Sequence, residues 1–263
     1  SGSTLISTSP TRVFDTRTGV GTTTGAFAAG EHRDFNVVTA ATLPAEATSV
    51  VFNVTATGAT AATNGWLAVT PTPPSAFIDP TTSSLNFTST SGAIANMVIC
   101  GIGSGGKVSF YNKNGDTHII ADLVGYFISD ATGARYFPLT PTRAFDTRYG
   151  TGGVPIAPIG ASASLTITMT GAAGVPASPD VDSVLFNLTA TSASTTSWFG
   201  AYVGGLPHGS ASSLNFLTAR SAANLVLGRL GVGGDLDIYN KNGTANAIVD
   251  IQGYFAGAPP IVD

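Results

Sequence analysis

Charge is scarce in this sequence. Of 263 residues only 10% are Asp, Glu, Lys or Arg, against roughly a quarter in an average soluble domain. Lysine is down to three residues, Lys107, Lys113 and Lys241, and the 11 Lys and Arg together form no basic run, with a net charge of -4. Binding a phosphate backbone needs clustered cations, which argues against nucleic acid as a partner. Cysteine is reduced to Cys100. One thiol builds neither an intrachain disulfide framework nor a thiolate metal cluster, and it reads as a small core hydrophobe. The three histidines, His32, His118 and His208, share no short metal-ligand spacing. Long apolar runs are missing as well: HIIADLVGYF at 118–127 is broken by Asp122, far short of the roughly 20 residues of a membrane-spanning helix. No basic, apolar, small-residue signal opens the chain. Ser1 in place of Met fits a processed exported chain or a trimmed one equally.

What the chain does have is itself, twice. FDTR at Phe14–Arg17 returns at Phe145–Arg148, SVVFNVTAT at Ser49–Thr57 as SVLFNLTAT at Ser183–Thr191, and SSLNF at Ser83–Phe87 at Ser212–Phe216. Further on, Ala95, Asn96 and Val98 match Ala223, Asn224 and Val226, YNKNG at Tyr111 matches Tyr239, and DLVGYF at Asp122 matches DIQGYF at Asp250. The order is kept, and the offset is 131 residues at the start and 128 at the end. Two copies of one domain follow, expected at 1–128 and 135–263, with 129–134 as a Gly- and Ala-bearing linker.

Each copy reads as β-structure. Alternation puts Val50, Phe52, Val54 and Ala56 on one strand face and Val51, Asn53, Thr55 and Thr57 on the other, and the second copy repeats the split. The run KVSFYNKNGDTHIIADLVGYF, from Lys107, predicts a hairpin turning at Asn114-Gly115, a pair suited to the positive φ angles of a type I′ turn. No useful window carries a helical apolar stripe, and turn signals recur every ten or so residues. The expected fold is all-β: two tandem antiparallel β-sandwich domains, jelly-roll-like.

Candidate chemistry can be tested by the repeat. GIGSGGK at Gly101–Lys107 satisfies a G-x-G-x-x-G pattern and part of a P-loop, but Val108 stands where a Ser or Thr should, and copy two puts Arg229 for Gly101 and Asp235 for Lys107. It reads as a glycine-rich turn. Asp15 and Asp122 recur as Asp146 and Asp250, yet acid/base work needs two carboxylates in different environments facing one cleft. Asp122 lies within a strand beside Ile120 and Val124 and requires a partner, for which Arg12 or Arg17, and Arg143 or Arg148 in copy two, are available. The expectation is a staple of Asp15, Arg17, Asp122, Asp146, Arg148 and Asp250 that pins the first element of each domain to the last. Asn53, Asn86 and Asn96 recur as Asn187, Asn215 and Asn224 although Asn is depleted in strands, and are expected to bond loop backbone. Trp66 and Trp198 sit at strand starts in what read as different local registers.

The series PTRxFDTR, FNxTAT, SSLNF, ANxV and DxxGYF resembles a tandem repeat of about 120 residues found in exported and cell-surface proteins of Gram-positive and related bacteria. The resemblance implies an extracellular β-rich domain, with no established catalytic activity or cofactor and no agreed ligand. Three functions remain. The first is a non-enzymatic structural subunit assembling head-to-tail into a surface filament or layer, motivated by weakly protected sheet edges and by tandem repetition. Its expected contact residues are Leu5, Ile6, Ile261 and Val262 near the two ends. The second is a carbohydrate- or cell-wall-binding adhesion module. The third, a small hydrolase, lacks a repeated nucleophile, histidine or metal cluster.

Overall fold

The computed structural model describes residues 2–61 and 63–257. Contacts divide the chain into two compact units: Ser1–Ser3 with Thr11–Ser129, and Thr4–Pro10 with the chain from Asp130 onward. In the first repeat the strands are β1 (Thr4–Asp15), β2 (His32–Asn36), β3 (Ala47–Thr57), β4 (Gly65–Pro71), β5 (Leu85–Phe87), β6 (Ile94–Gly101), β7 (Lys107–Asn112) and β8 (His118–Ile128). A single-turn helix α1 (Val37–Ala40) follows β2, where Asn36 accepts from the Thr39 amide. The second repeat carries β9 (Arg135–Asp146), β10 (Ala163–Thr168), β11 (Val181–Thr191), β12 (Ser197–Val203), β13 (Leu214–Phe216), β14 (Ala222–Arg229), β15 (Asp235–Asn240) and β16 (Asn246–Ala256).

Each repeat forms a pair of four-stranded antiparallel sheets. The orders are β1-β8-β3-β6 with β2-β7-β4-β5, and β9-β16-β11-β14 with β10-β15-β12-β13. This is the strand order of an eight-stranded jelly roll, in which first and last strands are neighbours. The alternation read from the sequence is realised: Val50, Phe52, Val54 and Ala56 are sealed into the first core with Phe14, Phe27, Phe35 and Phe110. Phe14 lies at the centre, stacked on Phe110 at 4.4 Å and edge-on to Phe35 at 5.3 Å, and each such ring contributes about 2–3 kcal/mol by leaving water. Val184, Phe186, Leu188 and Ala190 take the same places in the second core. The opposite face of the strand differs between repeats. Val51, Asn53 and Thr55 are buried, whereas Leu185, Asn187 and Thr189 are only half-buried.

The expected hairpin at Asn114-Gly115 does not form. β7 and β8 lie in different sheets, so the turn carries the chain from one sheet to the other. The cause is Asn112, the first asparagine of YNKNG. Its fully buried amide donates to the carbonyls of Phe27, Ala28 and Gly115 at 3.3, 3.0 and 2.6 Å, and Asn240 does the same to Ile159, Gly160 and Gly243 at 3.0, 3.2 and 3.0 Å. That clasp turns the chain away from its own sheet. Gly115 alone takes the left-handed conformation (φ 65°), without the second positive φ of a type I′ turn. Its bare α-carbon is also required by approach, since a Cβ would meet the Ala61 nitrogen at 2.5 Å.

The unit boundary departs from the expected one at residues 4–10, which group with the second unit although they begin the first repeat. Strand β1 thus gives its first seven residues to one unit and its last five to the other. The expected linker is ordered too: Asp130 caps Thr132 through its amide and hydroxyl at 2.9 and 2.6 Å, and Ala134 pairs with Leu5.

Candidate functional site

The repeated PTRxFDTR segment builds the same polar cluster in both units. Strand β1 ends at Asp15, whose carboxylate is buried, and the chain then turns so that Arg17 folds back on it. The Arg17 amide and Nε donate to Asp15 Oδ1 at 3.0 Å each, and Nη2 to Oδ2 at 2.7 Å. Arg12, still within β1, reaches across to β8 and grips Asp122 in a bidentate fork, Nε to Oδ1 at 2.9 Å and Nη2 to Oδ2 at 3.2 Å. Its Nη1 also donates to Asp15 Oδ2 at 3.4 Å, linking the two carboxylates. In the second unit Arg148 holds Asp146 at the same 3.0, 3.0 and 2.7 Å, and Arg143 holds Asp250 at 2.9 and 3.2 Å.

One part of the expected staple is therefore corrected. The cation on the closing strand's carboxylate is Arg12, and Arg143 in the second unit, rather than Arg17 and Arg148. Arg12 stands on the strand that neighbours β8, while Arg17 lies past the strand end and spends its fork on Asp15. Thr16 completes the tie: its backbone amide donates to the Ile119 carbonyl at 3.1 Å and its hydroxyl accepts from the Ile119 amide at 3.1 Å. The same hydroxyl meets His118 Nδ1 at 2.9 Å, where Thr147 donates to Asn246 Oδ1 at 2.9 Å. His118 and Asn246 are thus interchangeable partners for one threonine hydroxyl.

The electrostatics follow from these bonds. Burial pushes Asp15 up, but the Arg17 side chain and amide and the charges of Arg17 and Arg12 outweigh it and hold the carboxyl below its ordinary value of 3.8. Asp146 is held low chiefly by the Arg148 fork, against a smaller effect of burial. Asp122 moves the other way: burial in the sheet raises it beyond what Arg12 can offset, and the nearby Asp15 charge adds to the rise. A general base needs a carboxylate with free lone pairs facing a substrate. Here each of the four is engaged by a guanidinium, and Asp15, Asp122 and Asp146 are closed off from solvent.

The other singled-out residues fall into place separately. Asn96 and Asn224 donate to the carbonyls of Ser84 and Ser213 at 2.7 and 2.8 Å, holding the loop that precedes β5 and β13. Asn86 instead donates to Ser83 Oγ at 3.2 Å, Asn215 accepts from Ser212 Oγ at 3.0 Å, and Asn187 donates to Thr189 Oγ1 at 3.3 Å, so these three bond side chains. Trp66 and Trp198 occupy the same register, opposite Asn86 and Asn215, and tilt against Tyr111 and Tyr239 at 5.6 and 5.5 Å. The different registers read from the sequence are thereby corrected. Cys100 is a core residue whose thiol is pushed up to about 12 by burial. Among the described residues no group of three His, Cys, Asp or Glu could hold a metal ion, and no helix is long and apolar enough to cross a membrane.

Of the expected contact residues, Leu5 is completely buried within the second unit and so is not available to another chain, Ile6 is half-buried, and Ile261 and Val262 lie outside the described residues. Sequence reasoning missed the seat that holds Leu5. Its backbone pairs with Ala134 at 2.9 and 2.7 Å, Thr4 Oγ1 donates to the Asp130 carbonyl and accepts from the Gly133 amide at 2.9 Å each, and Ser7 donates to Asp182 at 2.5 Å. Neither Ser7 nor Asp182 is repeated, so no motif marked them. Thr16 and Asn112 did carry a signal, since both recur within FDTR and YNKNG.

No family model and no curated protein matches this chain. Among solved structures it is similar to the N-terminal CBM22-1-CBM22-2 tandem domain of Xyn10C from Paenibacillus barcinonensis, with 8% identity and a TM-score of 0.28 over 94% of this chain and 98% of that one.

Two outcomes follow from the cluster. Arg12→Ala strands a sealed carboxylate and is expected to remove about 3 kcal/mol from the first unit. Arg143→Ala leaves the more exposed Asp250 to water and is expected to remove about 1 kcal/mol. Urea unfolding of each variant measures the difference, and equal losses would contradict the burial argument. For pH, the folded values of Asp15 and Asp146 lie below the unfolded value near 3.8. Their stabilisation is therefore complete above about pH 4–5 and is lost as pH falls through the folded values, whereas that of Asp122 is lost as pH rises through its raised value. Asp146→Asn should lower the melting temperature at pH 7 and flatten its fall between about pH 5 and pH 3. An acid limb as steep as the parent's would count against the assignment.

Proposed function

We propose that this chain is a non-enzymatic extracellular structural protein that self-associates head-to-tail into a surface filament or layer. One observation carries the reading: strand β1 is divided between the two compact units, so the start of one repeat is built into the body of the next. A repeat whose first strand is completed by its successor is suited to chaining, because a heterologous contact of that kind grows a fibre unless it closes into a ring. The clamped carboxylates and the scarcity of charge are in keeping with a structural role, and the resemblance of the motifs to exported bacterial repeats supports the extracellular placement. A second reading, an adhesion module for cell-wall or extracellular glycans, is favoured by the half-buried Trp66 and Trp198 beside Asn86 and Asn215, an aromatic ring and an amide at the same register of both repeats.

Sedimentation velocity and negative-stain microscopy of the full chain distinguish the two. Self-association predicts a concentration-dependent series of oligomers that extends into filaments or sheets. A chain that remains monomeric throughout but is retained on cell-wall glycan, with retention lost in Trp66→Ala and Trp198→Ala, would overturn it in favour of the second reading.

A further inference from the structure

One segment of the repeat exists in two states. Thr4–Pro10 and Arg135–Pro141 are the same stretch, aligned by the PTR of Pro10–Arg12 and Pro141–Arg143. Within the second unit Thr4–Pro10 is seated on a ledge formed by Asp130–Ala134 and Asp182, and Leu5 is 0% exposed there. The fit is close enough that Gly133 must lack a side chain: a Cβ would meet the Leu5 carbonyl oxygen at 2.6 Å and Thr4 Oγ1 at 2.7 Å. The counterpart of Leu5 is Tyr136, which is 44% exposed, and its neighbour Phe137 is 43% exposed. These rings are ordered on the surface of β16. Phe137 stacks on Tyr254 at 5.0 Å with planes 10° apart, and Tyr136 packs on Phe255 at 5.1 Å.

The ledge is repeated as well. Gly133 and Ala134 correspond to Gly2 and Ser3, and Asp182 corresponds to Thr48. In the first unit Ser3 Oγ bonds Thr48 Oγ1 at 3.0 Å, and nothing lies within 4 Å of where a Gly2 Cβ would stand. The chain thus carries an occupied seat, an exposed strand start at 135–141 and an open ledge at Gly2, Ser3 and Thr48. The side chains differ in concert. The occupied seat pairs a donor, Ser7, with an acid, Asp182. At the unfilled pair the strand presents Pro138, and the ledge offers neutral Thr48, whose hydroxyl already donates to the Phe127 carbonyl at 3.2 Å. An acid at position 48 would lose its donor opposite a proline, and that position holds none.

We propose that Arg135–Pro141 of one chain is seated on the Gly2, Ser3 and Thr48 ledge of a second copy, with Tyr136 pairing to Ser3 as Leu5 pairs to Ala134. The proposal rests on the self-association reading and names its contact. Seating covers the exposed 44% of Tyr136, as Leu5 is covered in the occupied seat, and adds a backbone pair at a strand edge. A contact between 135–141 of one copy and the ledge of another is heterologous, so it adds identical chains in series unless it closes into a ring.

Cross-linking tests it. In an antiparallel hydrogen-bonded pair the α-carbons are about 5.5 Å apart, within the roughly 4.4–6.8 Å that a disulfide spans. A chain carrying Ser3→Cys and Tyr136→Cys, oxidised where the parent assembles, is expected to give a ladder of covalent multimers on a non-reducing gel. Leu5→Cys with Ala134→Cys closes within one chain as the control, and buried Cys100 stays out of the exchange. Phe137→Asp, a surface change, should raise the concentration needed for assembly by on the order of tenfold. Dimers from Tyr136→Cys alone would mean face-to-face pairing and overturn the proposal. So would closure of Tyr136→Cys with Val262→Cys inside one chain, which gives the face to the chain's own end. An assembling parent with no link between positions 3 and 136 defeats this contact and leaves self-association standing, whereas a monomeric parent removes both.

Discussion

A carboxylate on the last strand, gripped by a guanidinium fork from the first, ties the two ends of each repeat together, and in the first repeat it is sealed from solvent. Asp122 on β8 is shut away from solvent and must be met by a cation with matched geometry, which Arg12 on β1 supplies as a two-bond fork. That requirement makes first and last strands neighbours, the defining closure of the jelly roll. Asp15 and Arg17 then fix the turn out of β1, and Thr16 locks it to Ile119. With β1 beside β8, the chain leaving β8 through Asp130–Ala134 passes the start of β1, where Leu5 and Ala134 pair. The seat for a strand start is therefore a consequence of the closure, and it arises at the point where one repeat gives way to the next.

The duplication makes the structure its own control. Differences between equivalent positions separate what the fold requires from what each copy has been free to change. His118 and Asn246 both serve a threonine hydroxyl, so this histidine is a hydrogen-bond partner with an amide substitute. Ser197 donates to Asn240 Oδ1, but Gly65 stands in its place in the first repeat and Asn112 Oδ1 is left buried without a partner. The clasp survives there because the amide's three donor contacts carry it. Ser7 and Asp182 against Pro138 and Thr48 is the difference on which the proposed contact between copies turns, since both aligned positions change together.

Much of the fold was legible in the residues. Alternation in SVVFNVTAT named the core face, turn spacing indicated short strands, and an aspartate among Ile120 and Val124 announced its need for a partner. The choice between Arg12 and Arg17 was not legible, because both lie close to Asp15 and the decision depends on where β1 ends. The Asn-Gly turn misled for a physical reason: its local preference for a hairpin is weaker than the pull of a buried amide on three carbonyls, and only the folded unit brings Phe27 and Ala28 to Asn112. Least visible was the seat for Leu5. It depends on the bare α-carbon of one glycine in a segment that reads as a linker, and on a bond between two residues 175 positions apart that neither repeat duplicates.

In the proposed assembly the start of β1 is closed within the chain, and the equivalent start of β9 stays open until a second copy covers it. Hydrogen exchange, followed from dilute solution into the assembling range, measures this directly. Slow exchange is expected at Leu5 and Ala134 at every concentration, with Tyr136 and Ser3 fast in dilute solution and slowing together as chains associate. Equal protection of Leu5 and Tyr136 in dilute solution, or fast exchange at Tyr136 and Ser3 that persists in the assembled material, would contradict it.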